Sequence, residues 1–227
     1  MRYLNKIVFI NSAAIRYSEV QLDGNIHLIG TQGVGKSTIL RAILFFYNAD
    51  TQRLGIPVEK KSYQDYYFPY ADSSIIYEVA REDGWFTVLS YKTMNRICYR
   101  FIASPYRPDL FIDEEGAPYP SDRIRSVLDK NGIKYSGAIS TYEEYRNILY
   151  GNSDNKRDYS CYSLMESGSY QNIIRTIQNV LLNSRLEADY IKQTIITSLN
   201  EADSVIDLSR YRSHLSGFEA QLNDICL

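Results

Sequence analysis

The chain has 227 residues, of which 44% are hydrophobic and 23% charged, so it can bury a sizeable core in one large domain or in one domain with an appendage. Its net charge of −2 disfavours a domain that binds nucleic acid through bulk electrostatics, although a local basic patch is compatible with a balanced total. No apolar run approaches the length of a membrane span, and the N-terminus lacks the apolar core of a signal peptide. The three cysteines are odd in number and lack metal-ligand spacing. We therefore expect a cytoplasmic protein without a membrane partner.

The first elements along the chain are predicted to be strands. Residues 3–10 and 18–22 carry the apolar and alternating patterns of strands. The turn residues Asp23 and Gly24 then lead into a third apolar segment, residues 26–29. We expect this third segment to be a buried strand that enters the motif described next.

A phosphate-binding motif follows this segment. The pattern G-x-x-x-x-G-K-[ST] is satisfied by Gly30, Thr31, Gln32, Gly33, Val34, Gly35, Lys36 and Ser37. Its glycines let successive backbone N–H groups surround a phosphate, and a helix predicted from Lys36 to about Asn48 adds its positive dipole end. We expect Lys36 to contact the β- and γ-phosphates of ATP and Ser37 to bind Mg²⁺, and we place Thr38 in the same nucleotide site.

Residues 51–72 have no clean period and are predicted to form a long loop over the nucleotide site. Four of the 21 tyrosines crowd this segment, at positions 63, 66, 67 and 70. Semi-exposed packing of a β layer is the favoured interpretation of these tyrosines. An interface with a partner is the alternative, because tyrosine offers apolar area with a polar tip.

An antiparallel β layer is predicted next, with strands at 74–80, 85–91 and 96–102 joined by short turns. Two short helices follow at 121–130 and 141–149, separated by a strand-like or loop segment at 133–139. Residues 151–158 are polar and are expected to form a surface loop.

Residues 109–116 allow two interpretations. Apolar residues that end in Asp113 and Glu114 resemble a Walker B strand, in which the aspartate holds Mg²⁺ and the glutamate polarises water. Only three apolar residues precede Asp113, and Pro108 and Gly116 flank the segment. These features favour a surface hairpin over a buried parallel strand.

The C-terminal third is predicted to be helical, with helices at 170–182 and 186–199. Beyond them, apolar residues alternate in steps of three and four at Leu208, Tyr211, Leu215, Phe218, Leu222 and Ile225. This spacing is typical of a coiled-coil seam, although a helix packed on its own domain is the alternative. We divide the chain into a head lobe, residues 1–203, and the beginning of a coiled-coil helix, residues 204–227.

This order of elements resembles the N-terminal half-head of the SMC-type (structural maintenance of chromosomes) ABC ATPases, and within them the MukB-like condensins and the JetC-type subunit of the Wadjet plasmid-defence complex. The resemblance implies an α/β fold of the P-loop NTPase class, of ABC/SMC head type, with an antiparallel β layer and the start of a coiled coil. It implies ATP and Mg²⁺ as cofactors and a C-terminal head lobe that carries the signature and Walker B motifs. It also implies a second head in a homodimer, double-stranded DNA, kleisin-type subunits and a nucleoid-associated location.

Carried over by residue, Lys36 matches the family's phosphate lysine and Ser37 its Mg²⁺-binding hydroxyl. The family also has a Q-loop glutamine that touches Mg²⁺ and the attacking water. Gln178 stands in a similar context, Thr176-Ile177-Gln178-Asn179, and is the candidate, with Gln171 as a second choice. A glutamine on a solvated helix face is the competing interpretation.

Three features depart from the family pattern. Gln32 stands where most members have Asn, and residues 11–16 lack the basic residue that many place after the first strand, unless Arg16 substitutes for it. Residues 215–219 are similar to the signature L-S-G-G-[QE], but Phe218 replaces its second glycine and would block the close backbone approach. We interpret this last similarity as chance.

The sequence thus favours a nucleotide-binding half of a split ATPase, with little hydrolysis by this chain alone. A self-contained P-loop NTPase or small-molecule kinase that uses Asp113 and Glu114 is the first alternative, and it requires a parallel strand beside residues 26–29. A nucleotide-holding interaction scaffold with a tyrosine-rich surface is the second.

Overall fold

The computed structural model describes residues 2–51, 54, 56, 60–94, 96–151 and 159–164, all of which lie within one compact unit, Met1–Asn183. Several sequence predictions lie outside the described residues. They are the polar segment 152–158, the helices at 170–182 and 186–199, the heptad pattern with the signature-like residues 215–219, the Q-loop candidates Gln178 and Gln171, and the boundary at 203/204. Each of these stays a prediction.

Five antiparallel strands form one sheet in the order β2-β1-β3-β4-β5. The strands are β1 (Tyr3–Ser12), β2 (Ile15–Gln21), β3 (Ser74–Arg81), β4 (Gly84–Thr93) and β5 (Arg96–Ile102). The predicted first two strands and the predicted antiparallel layer are therefore confirmed. The described residues form an α/β fold, and the finer assignment to the P-loop NTPase class remains an inference from the motif.

Four α-helices accompany the sheet in the described part of the chain. They are α1 (Lys36–Asn48), α2 (Tyr63–Tyr67), α3 (Ser121–Lys130) and α4 (Tyr142–Leu149). The positions of α1, α3 and α4 confirm the sequence predictions. Residues 133–139 form no named strand, but Tyr135 and Ile139 make single antiparallel bridges to β5.

Both faces of the sheet are covered, which explains why β3 is buried along almost its whole length. Its neighbouring residues alternate between two apolar clusters, as the two-residue period of a strand requires. Ile75 and Tyr77 join the cluster that contains α1, α2 and α4. Ile76 joins the cluster on the other face, with α3. The sheet is thus the central layer on which α1 is held.

Tyrosine hydroxyls anchor α1 to this layer. Five buried tyrosines in the described part of the chain donate to backbone carbonyls of α1 and of its C-terminal cap. The pairs are Tyr67 with Thr38 (2.8 Å), Tyr77 with Ala42 (3.1 Å), Tyr145 with Phe46 (2.6 Å), Tyr150 with Tyr47 (2.7 Å) and Tyr99 with Ala49 (3.2 Å). The last carbonyls of a helix lack intrahelical partners, so three of these bonds satisfy groups that would otherwise be buried without one. Part of the high tyrosine content therefore serves to fix the phosphate-loop helix.

The predicted strand at 26–29 is wrong. These residues have no regular structure and pair with no strand of the described chain. Ile26 is 41% exposed and Ile29 is 91% exposed, so their side chains are not part of the core. An apolar segment becomes a buried parallel strand only when neighbouring strands satisfy its backbone and other elements cover its faces, and the described residues supply no such strand.

The prediction of an uninterrupted loop over residues 51–72 is also wrong in part, because α2 forms inside it. Ser62 caps this helix by accepting a hydrogen bond from the Asp65 N–H at 3.1 Å. On α2, Tyr63 and Tyr67 are four residues apart and share the buried side, whereas Tyr66 and the following Tyr70 are 39% and 63% exposed. The favoured placement of these tyrosines in a β layer is therefore replaced by a helix that packs beside α1.

Candidate nucleotide-binding site

The predicted phosphate loop runs from Gly30 to Ser37 and passes directly into α1, whose first residue is Lys36. Gly33 and Gly35 have φ angles of 89° and 95°, in the left-handed region that favours glycine. Gly35 caps the helix, and its carbonyl accepts from the N–H groups of Thr38 and Ile39 at 3.0 and 3.1 Å. The sequence therefore forms a glycine-dependent turn that ends at the positive end of a 13-residue helix.

The Lys36 ammonium folds back over this loop. Its Nζ donates to the carbonyl oxygens of Gly30 and Thr31, at 2.5 and 2.6 Å. These two residues are predicted to bind nucleotide, and in the structure their carbonyls accept hydrogen bonds from the lysine ammonium. A triphosphate would compete with neutral carbonyls for this cation, and a charge-assisted bond to phosphate is the stronger interaction.

An open cleft of about 660 Å³ lies beside the loop, which is a size that fits a nucleotide. Among the predicted site residues, those that line it are Gln32, Gly33, Gly35, Lys36, Ser37 and Thr38. Val34 is 58% exposed and does not line the cleft. Most of the predicted phosphate site therefore faces one space.

The cleft is strongly cationic. Among the residues that the structure describes, its lining includes Lys36, Arg41, Lys60 and Lys61, and no acidic residue. A concave surface with charges of one sign concentrates ions of the opposite sign, so the cleft favours a polyanion such as a nucleoside triphosphate.

The helix α2 forms the wall opposite the loop, with Tyr66 and Tyr67 on the cleft. The Tyr67 hydroxyl donates to the Thr38 carbonyl, and the Tyr66 hydroxyl lies 3.4 Å from the Thr38 hydroxyl. The Tyr63 ring stacks on Phe45 of α1, with centroids 4.4 Å apart. These contacts fix α2 relative to the first turn of α1.

Burial raises the pKa of the Tyr67 hydroxyl, so this group remains a neutral hydrogen-bond donor at physiological pH. The hydrogen bond from Ser62 holds the pKa of the Asp65 carboxyl below its ordinary value, and Lys92 contributes in the same direction at 3.5 Å. The hydrogen bond from Tyr67 to the Thr38 carbonyl therefore persists around neutral pH.

The sequence predicted that residues 51–72 lie over the nucleotide site, but it identified no site residue in this second half of the cleft. Arg41, Ile56, Lys60, Lys61, Tyr66 and Tyr67 line it, and none of them was a predicted site residue. A signal was present, because Ser62 and Asp65 form the S-x-x-[DE] pattern of a helix N-terminus directly after the basic pair at 60–61. Gln178, the predicted Mg²⁺ ligand, lies outside the described residues.

Asp113 is part of a surface turn, as the favoured hairpin interpretation predicts. The chain pairs with itself through a single antiparallel bridge between Ile112 and Pro118. The Asp113 carboxylate accepts from the N–H groups of Glu115 and Ala117, at 3.1 and 2.7 Å. The parallel strand that a self-contained NTPase would need beside residues 26–29 is absent from the described chain, and Asp113 does not line the cleft.

The described helices include none with the length and apolar character that crossing a bilayer requires. Comparison with curated proteins gives no match. A family model does match, over residues 12–220, and its description is "Protein of unknown function (DUF3584)". Because this match spans nearly the whole sequence, including the phosphate loop and the β layer, the chain belongs to the DUF3584 family.

Proposed function

We propose that this chain is the ATP-binding N-terminal lobe of the head of an SMC-like ATPase. The observation that carries the proposal is the cleft at the phosphate loop, where the described lining residues include four basic side chains and no acidic one. The association of the DUF3584 family with SMC-like proteins agrees with it. In this role Lys36 binds the β- and γ-phosphates, the backbone N–H groups of the loop surround them, and Ser37 supplies one ligand to Mg²⁺.

The proposal divides the ATPase site between this lobe and a second segment. Phosphoryl transfer to water needs a carboxylate or an equivalent group that orients the nucleophile, and no carboxylate of the described residues lines the cleft. The exposed Ile26 and Ile29 support the same division, because an apolar segment beside the loop is suited to pair with strands from elsewhere. We infer that a C-terminal head lobe with signature and Walker B motifs supplies both the strands and the carboxylate, and that Gln178 reaches Mg²⁺ from this chain.

ATP would then close a homodimer of two heads, and hydrolysis would reopen it. Because the nucleotide binds the closed state better, its binding energy shifts the population toward closure. The heptad residues of 204–227 would continue into a coiled-coil arm, so that head closure gates arms on double-stranded DNA, with kleisin-type subunits as further partners. This proposal places the protein at the nucleoid in the cytoplasm, in chromosome organisation, repair or defence against plasmids and phages.

Magnesium dependence of ATP binding tests the proposed roles of Ser37. We expect Mg²⁺ to increase ATP affinity of the wild-type chain about tenfold, because the cation bridges phosphate oxygens and the Ser37 hydroxyl. Ser37→Ala should remove most of this increase, and Ser37→Thr, which keeps the hydroxyl, should retain it. Isothermal titration calorimetry with ATP, with Mg²⁺ and with EDTA, measures the effect. An equal Mg²⁺ effect in wild type and Ser37→Ala, or no binding of ATP at all, would contradict the proposal.

A further inference from the structure

The wall of the cleft opposite the phosphate loop has the composition of a nucleoside site. The basic side chains account for the phosphates, but Ile56 and Tyr66 also line the same space and carry no charge. Tyr67 lines it too, but its side chain is only 1% exposed and its hydroxyl is bound to the Thr38 carbonyl. Tyr66 is therefore the aromatic side chain of this wall that remains accessible.

Tyr66 differs in exposure from the other two tyrosines of α2, Tyr63 and Tyr67. Tyr63 and Tyr67 are buried on α2, whereas Tyr66, which is offset from Tyr67 by about 100° around the helix, lines the cleft and is partly exposed. The rings of Tyr66 and Tyr67 meet edge to face, with centroids 5.0 Å apart and an angle of 80° between their planes. This contact supports the Tyr66 ring while 39% of the side chain stays exposed.

The position of Tyr66 relative to the loop indicates which end of a nucleotide it would meet. Its hydroxyl lies 3.4 Å from that of Thr38, in the first turn of α1 and two residues beyond Lys36. Lys36 holds the terminal phosphates in the proposed site, and the nucleoside must leave the loop on the side away from them. A ring beside the first turn of α1 is suited to contact that nucleoside.

We propose that Tyr66 is a nucleoside-binding residue whose ring packs against the base or ribose of the bound nucleotide, with Ile56 adding apolar contact. This inference rests on the proposed function, since it assumes that the loop binds a triphosphate. Stacking of a base on an aromatic side chain contributes enough affinity that its loss is measurable. Tyr66 thereby makes the cleft select a nucleoside triphosphate over a bare polyphosphate.

Titration of the full chain with ATP and with inorganic tripolyphosphate distinguishes contacts to the nucleoside from contacts to the phosphates. We expect Tyr66→Ala to lower ATP affinity about tenfold and to leave tripolyphosphate affinity within about twofold of wild type. Tyr66→Phe keeps the ring and should bind both ligands like wild type. Tyr70→Ala is the matched control, because Tyr70 is more exposed and does not line the cleft. Circular dichroism checks that each variant is folded.

The possible failures are distinguishable. ATP affinity that is unchanged in Tyr66→Ala, or wild-type affinity that is no higher for ATP than for tripolyphosphate, would overturn the role of Tyr66 while the phosphate site stands. Equal losses for both ligands in Tyr66→Ala would also overturn it, because the residue would then act through the loop. Wild-type chain that binds neither ligand would overturn the proposed function itself.

Discussion

Replacement of Lys36 by alanine is expected to lower ATP affinity at least about 100-fold. The substitution removes the cation that meets the terminal phosphates, and a lost charge-assisted contact of this kind costs about 3 kcal/mol or more. It also removes the two hydrogen bonds that Nζ donates to the carbonyls of Gly30 and Thr31. The loop therefore loses internal hydrogen bonds as well as a positive charge. Calorimetric titration with Mg²⁺ and ATP measures the change.

Lys130→Ala is the matched control for this variant. It removes one positive charge from the end of α3, and Lys130 does not line the cleft. We expect its ATP affinity to stay within about twofold of wild type, because α3 packs on the face of the sheet opposite to α1 and the charge of Lys130 is exposed to solvent. Equal affinities of Lys36→Ala and wild type would mean that the nucleotide does not bind at this loop.

The second large effect concerns stability. Phe45 is fully buried on α1, where its ring stacks on Tyr63 of α2 and lies 5.8 Å from the ring of Tyr99 on β5. Phe45→Ala leaves a cavity where helix, wall and sheet meet, and we expect it to lower the free energy of unfolding by about 3–5 kcal/mol. Denaturant unfolding followed by circular dichroism measures this loss.

Met94→Ala provides the comparison for Phe45→Ala. Met94 is 91% exposed, so its truncation should change the free energy of unfolding by no more than about 0.5 kcal/mol. A loss below about 1 kcal/mol in Phe45→Ala would contradict the packing of α1 between α2 and the sheet. It would also weaken the basis for treating α2 as a fixed wall of the cleft.

The elements that sequence reasoning predicted correctly carry their signals locally. Turn residues at 82–84 mark the β3–β4 hairpin, where Gly84 has a φ of 143°. The helix α1 begins at Lys36, directly after the left-handed Gly35, and it presents apolar residues at helical spacing. Such patterns depend on a few neighbouring residues, so the sequence alone is sufficient to recognise them.

The failure at residues 26–29 has the opposite cause. The segment has the composition of a buried strand, but strand formation depends on partners that are distant in sequence or belong to another chain. In the described chain Ile29 is 91% exposed and unpaired in the sheet. The apolar pattern of residues 26–29 indicated a preference for strand structure, but whether a strand forms depends on the tertiary contacts of the segment.

The segment that forms the cleft wall was predicted to lie over the nucleotide site, but its helix and its lining residues were not predicted. The helix α2 has only five residues, which is too short for a helical period to emerge, and its tyrosines have no strong helix preference. The phosphate loop, by contrast, is a motif in which spacing alone defines the chemistry. Half of the site was therefore predictable from sequence, and the half that needed Tyr66 beside Thr38 required the structure.

If the ATPase site is divided between two segments, this chain alone should bind ATP but should not hydrolyse it at an enzyme-like rate. The most direct test measures ATP affinity and steady-state hydrolysis on one preparation of this chain, in wild type and in Asp113→Ala. We expect saturable Mg²⁺-ATP binding in both, with turnover at least about 100-fold below the ~10 s⁻¹ of a typical enzyme and unaffected by the substitution. Turnover near that typical value in the wild type, abolished by Asp113→Ala, would contradict the division and would identify a complete enzyme.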